Sequence, residues 1–136
     1  MKKDPLIILR IFTSLLFIYA SLNHFFNYDK IFGKISKTTV YQFIQNESLF
    51  QASIILSGLI MLIGGLAMLA GYKNKLAATV LLIMLIPITL TIQLDNLNDL
   101  GPFFKNVAIA GSLLFIINYN SYEIKTSVIR SSNIIN

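Results

Sequence analysis

Apolar residues along this chain gather into four long stretches separated by polar breaks: Leu6 to Phe26, Gln51 to Gly71, Leu76 to Leu94, and Pro102 to Asn118. They run for 21, 21, 19 and 17 residues. A helix rises about 1.5 Å per residue and the hydrocarbon core of a bilayer is roughly 30 Å thick, so the first three reach across. The fourth does so only when nearly upright or where the bilayer thins. The pattern predicts a single all-α domain, an integral membrane four-helix bundle, with an outer loop over 27–50 and a polar, fraying C-terminal tail over 119–136. The first stretch opens like a signal peptide, with Lys2 and Lys3. Arg10 interrupts its apolar core, however, and no small-x-small cleavage site follows, so it reads as a retained helix.

The breaks carry their own signals. Val40, Phe43 and Ile44 recur at helical spacing beside Gln42, Gln45, Asn46 and Glu47, which predicts a short amphipathic helix on the outer surface. Tyr72 to Lys75 is short enough to make the second and third spans a tight antiparallel hairpin. Asp95, Asn96, Asn98, Asp99, Gly101 and Pro102 form a turn-rich segment, and Pro102 suits the first turn of a helix, where its missing N–H costs nothing. Pro87 lies inside the third span, where it removes one backbone hydrogen bond and is expected to bend the helix.

Composition narrows the chemistry. The chain has 136 residues, 55% hydrophobic and 12% charged, about half the charge usual for a soluble domain. With no cysteine, disulfides, thiolate zinc sites, iron–sulfur clusters and CxxC relays are excluded within it, and a single histidine excludes a multi-histidine metal centre. The net charge of +5 comes from basic residues at the ends of apolar runs, which is a topology signal and not a nucleic-acid-binding face. Lys2, Lys3, Arg10, Lys73, Lys75, Lys125 and Arg130 fall on one side, against Lys30, Lys34, Lys37 and Lys105 on the other. That bias predicts both termini in the cytoplasm.

Small residues mark the expected helix contacts, because lipid offers little hydrophobic drive for helices to associate. Ser53, Ser57, Gly64 and Gly71 lie along the second span with Gly58 and Gly65 one step round; Ala77 and Ala78 open the third; Ala108, Gly111 and Ser112 sit in the fourth. Polar residues inside spans are costly and usually face the bundle interior or water. On the first span Arg10, Ser14, Phe17, Ser21 and His24 form one stripe, with Arg10 and His24 about 21 Å apart. Arg10 also reads simply as a side chain snorkelling to the interface, and His24 as an interfacial histidine bonded to a carbonyl. With the N-terminus inside, His24, Gln51, Gln93, Asp95, Lys105 and Asn106 all come to the outer end. There Phe25, Phe26, Phe103 and Phe104 add apolar walls. Such a set suits a flat amphiphile such as a quinone, whose ring needs apolar walls and whose carbonyls need donors. His24, Gln93 and Arg10 are the candidate quinone-binding residues; no catalytic residue and no metal ligand is assigned.

These residues carry a family likeness. Leu9, Arg10, Ile11 and Phe12, followed by LLFIYASLNHF over 15–25, resemble the first helix of DoxX-type membrane proteins. SGLIMLIGGL over 57–66, the Lys73/Lys75 turn, IPITLTI over 86–92 and FFKNVAIAG over 103–111 resemble the rest of that four-helix pattern. Two departures stand out. Ala20 occupies the place of the family's usual first-helix glycine, and Gln93 stands where many relatives have a histidine. Glutamine bonds but does not shuttle a proton near pH 7, so a two-histidine mechanism is weakened. The resemblance implies a redox-associated membrane protein, since some members are subunits of a thiosulfate:quinone oxidoreductase and others belong to oxidative-stress or detoxification systems. The fold is also similar to the core of vitamin K epoxide reductase, whose cysteines have no counterpart in this chain.

Three functions are weighed on these grounds. First stands an accessory, redox-associated subunit of the bacterial plasma membrane, holding a membrane or soluble redox partner and admitting a homo-oligomer. Its alternative is a quinone-linked oxidoreductase subunit with a headgroup site near the outer leaflet. A transporter comes third, because four short helices without paired broken helices offer little pathway. A haem reading is poorer still, since one histidine supplies one strong axial ligand and Met61, Met68 or Met84 would have to supply the other.

Overall fold

The protein is described by a computed structural model that covers residues 4–93 and 98–135. All its regular elements are helices: α1 (Asp4–Phe26), α2 (Tyr28–Ile35), α3 (Thr39–Ile44), α4 (Glu47–Ala70), α5 (Asn74–Gln93) and α6 (Gly101–Ile135). Four of them are long and apolar enough to cross a membrane, over Pro5–Phe26, Glu47–Ala70, Asn74–Thr91 and Gly101–Tyr119. α1 packs along α4, α4 along α5 and α5 along α6, while α6 closes back on α1, so the helices stand in the ring order 1–4–5–6. The start of α1, the α4–α5 turn and the C-terminal part of α6 therefore share one end of the bundle. The α2–α3 segment and the start of α6 share the other.

Burial is arranged for lipid. The core is one cluster from all four spans, centred on Phe17, Met61, Met68, Ala78, Leu81, Leu85, Leu113 and Ile116. Ser14 and Ser21 are fully buried, whereas Phe12 is 69% and Tyr19 74% exposed. Burying the serine hydroxyls while rings such as Phe12 face outward suits a chain solvated by acyl tails, since a buried hydroxyl must find its partner within the protein.

Local chemistry sets the ends. Thr38 caps α3, accepting the Tyr41 N–H at 3.3 Å, and Asn46 caps α4, accepting the Leu49 N–H at 3.1 Å. α4 ends where Gly71 takes φ 79°, a left-handed turn that glycine adopts without a side-chain clash, and the Tyr72 N–H bonds back to Ala67 O at 2.9 Å. α5 runs through Pro87 as one helix.

Two findings go beyond the apolar pattern. The outer loop holds two helices, not one. Tyr28, Ile31, Phe32 and Ile35 in α2 follow the i, i+3, i+4, i+7 spacing of an amphipathic turn. A chain of ring contacts, Tyr28 on Phe32, Phe32 on Tyr41 and Tyr41 on Phe50, ties α2 and α3 to the start of α4. The second finding corrects the fraying tail: α6 continues as helix to Ile135. No glycine or proline follows Gly111, so nothing in the local sequence stops propagation once the membrane-spanning part is helical.

Candidate functional site

The α1 stripe is built against α4, and Gly58 and Gly65 of α4 set how close the two helices come, with the capping Gly71 beyond them. A Cβ at Gly65 would lie 3.0 Å from Ile18 Cγ1 and 3.3 Å from the Ser14 carbonyl oxygen, so only glycine fits without displacing backbone. A Cβ at Gly58 would lie 3.0 Å from His24 Cβ. At the far end, a Cβ at Gly71 would lie 3.1 Å from Arg10 Nη1. Gly64, one step round, faces α5 instead, where its Cβ would lie 2.8 Å from Leu81 Cδ2. The structure thus divides the glycines of the second span between two neighbours, while Ser53 is exposed and bonds Leu49 O of its own helix.

Polar groups of α1 are consumed along this seam. The Ser14 hydroxyl donates to Arg10 O at 2.6 Å within its own helix, and the buried Ser21 hydroxyl donates across to Gly58 O at 2.8 Å. His24 is half-buried, with Nδ1 3.3 Å from both Ile54 O and Ser57 Oγ. The Ser57 hydroxyl is itself aimed at Ile54 O at 2.9 Å. With that hydroxyl proton assigned to Ile54 O, the tautomer carrying hydrogen on Nδ1 is the one that satisfies both contacts. His24 is therefore stitched into the α1–α4 contact.

The three candidate residues do not form one cluster. Arg10 lies at the opposite end of α1 from His24, beside Gly71, where its Nε is buried and has no hydrogen-bond partner among the described residues. Gln93 closes α5 at the same end as His24, and its side chain lies outside the described residues, as does Asp95. Among the described residues, the hydrogen bonds of His24 go to α4.

A polar pair that the sequence reading did not connect joins α5 to α6. Asn106 Nδ2 donates to Thr89 Oγ1 at 3.0 Å, and the Thr89 hydroxyl donates to Leu85 O at 2.7 Å. The pair sits in a groove of about 160 Å³, otherwise walled by apolar side chains such as Leu85, Ile86, Leu90 and Val107. Asn106 stood out as a polar opening to the fourth span. Thr89 gave no signal, because a lone threonine in a span normally bonds its own helix.

The order of these elements now bears on ancestry. A family model described as DoxX matches residues 6–94, which takes in α1 through α5. The chain belongs to the DoxX family. With four apolar helices, this DoxX protein is an integral, multi-pass membrane protein. No curated protein and no solved structure matches it. Its α1–α4 seam, with Arg10 and His24 at either end, lies inside the family match. The Asn106 half of the α5–α6 groove lies beyond it.

Proposed function

We propose that this DoxX protein is an accessory, redox-associated subunit of the bacterial plasma membrane, with both termini in the cytoplasm and no catalytic centre of its own. The observation that carries this reading is the use of His24. The chain's single imidazole faces Ser57 and Ile54 O over Gly58, and so does the work of an interhelical fastener. The redox association rests on family membership. A redox partner would dock on the lipid-facing or end surfaces of the bundle.

The test is the quinone content of the purified protein, extracted and quantified beside His24→Ala and His24→Asn. An accessory subunit carries no quinone above the lipid background in any of the three. In that case His24→Asn, whose amide N–H can replace the Nδ1 donor, accumulates better than His24→Ala. Near-stoichiometric quinone that falls in both variants would overturn the reading.

A quinone-linked subunit is the second reading, and one observation favours it. The α5–α6 groove is close in volume to an engineered 150 Å³ cavity that holds one benzene ring, and it adds a single amide at Asn106. Its test is the same extraction on Asn106→Leu, where loss of bound quinone would move the headgroup site to that groove.

A further inference from the structure

We infer that the Arg10 end of the bundle is a binding site for the headgroup of an anionic phospholipid, with the Arg10 guanidinium as its anchor. The first ground is an unmet bond. Arg10 Nε is buried without an acceptor among the described residues, and an unpartnered N–H on a charged group is among the more costly defects a structure can hold. A phosphodiester oxygen is the acceptor that the half-buried Arg10 side chain lacks, met by the guanidinium turning out toward the headgroup level.

Charge gives the second ground. By position in the chain, the end carrying Arg10 holds seven Lys and Arg against Asp4 and Glu123, while the other end holds four lysines against Asp29, Glu47, Asp95 and Asp99. The whole net charge of +5 therefore falls at the Arg10 end. Lys73 and Lys75 flank the turn beside Arg10. Lys73 takes the left-handed conformation, with φ 43°, and its ammonium lies 5.5 Å from the Tyr72 ring centroid.

Depth gives the third ground. Arg10 stands five residues inside the start of the α1 span, and Gly71 follows the last residue of the α4 span, so the guanidinium reaches back toward the polar boundary of the bilayer. A basic pocket between helix ends at that level is where lipid phosphates lie.

Native mass spectrometry of the full chain from mild detergent, with phosphatidylglycerol and phosphatidylcholine in equal amounts, tests the site. The wild-type protein is expected to retain one phosphatidylglycerol per chain, about tenfold in preference to phosphatidylcholine. Arg10→Gln is expected to bring the two lipids to parity. Should Arg10→Gln fail to fold, the exposed double variant Lys73→Gln/Lys75→Gln is expected to cut the preference at least twofold. Lys125→Gln/Arg130→Gln, in the extension of α6, is expected to leave it unchanged. Equal retention of both lipids by the wild type would overturn the inference. So would loss of preference in the α6 double variant, which would mean diffuse charge without a site. Displacement of the lipid by millimolar inorganic phosphate would make this a free-anion site and would also overturn it.

Discussion

The α1–α4 and α5–α6 seams join neighbouring antiparallel helices in the same bilayer, yet they are made differently. α1 meets α4 through Gly58 and Gly65, with a hydroxyl of one helix bonded to the backbone of the other. α5 meets α6 through Leu81, Leu85, Ile109, Leu113 and Ile116, and leaves a groove around Asn106. Between helices in lipid, apolar side chains gain little by exchanging acyl tails for each other. Close backbone approach at glycine therefore ties α1 to α4 more tightly than side-chain bulk and the Asn106–Thr89 bond tie α5 to α6. The difference teaches where the bundle is intolerant and where it has room.

The largest effect is expected at Gly65. Gly65→Leu drives a side chain into Ile18 and the Ser14 carbonyl, and should lower stability by about 3 kcal/mol. Gly111→Leu adds the same atoms on α6, where nothing lies within 4 Å of the glycine, and should stay close to wild type. Unfolding by SDS titration in mixed micelles, followed by helical circular dichroism, measures both. Equal losses would mean that crowding against α1 is not what makes Gly65 intolerant.

Removing the cross-seam bond is a smaller perturbation. Ser21→Ala should cost about 1 kcal/mol in the same titration, within the range of interhelical hydrogen bonds in membranes. Asn106→Leu should cost about 0.5 kcal/mol or less, because the added methyls fill the groove while the lost bond ran to a threonine already committed to Leu85 O. An Asn106→Leu loss larger than that of Ser21→Ala would reverse the ranking of the seams. Smallest of all, truncation after Ser121 should leave the midpoint within about 0.5 kcal/mol of wild type, since the described side chains beyond it are exposed. Thermal unfolding of the truncated chain in detergent checks this.

That the chain has four spans is legible in its apolar pattern alone. Crossing a bilayer is a one-dimensional requirement on apolar length, and Leu6 to Phe26 meets it whatever its neighbours do. Helical periodicity likewise placed Ser14, Phe17 and Ser21 on one face, and all three are buried. Capping made the start of α4 less clear: Asn46 begins it five residues before the apolar run is continuous. Which helix each polar group meets is settled instead by packing between helices. Spacing put Arg10 and His24 on one stripe but could not say that His24 would meet Ser57 and Ile54 O, or that Arg10 would come to Gly71 with Nε unmet. It paired neither Asn106 with Thr89 nor Gly64 with Leu81. Those partners depend on the 1–4–5–6 ring order and on the rotation of each helix about its own axis. Both are set by how side chains pack between helices, and neither is written in the spacing along any one of them.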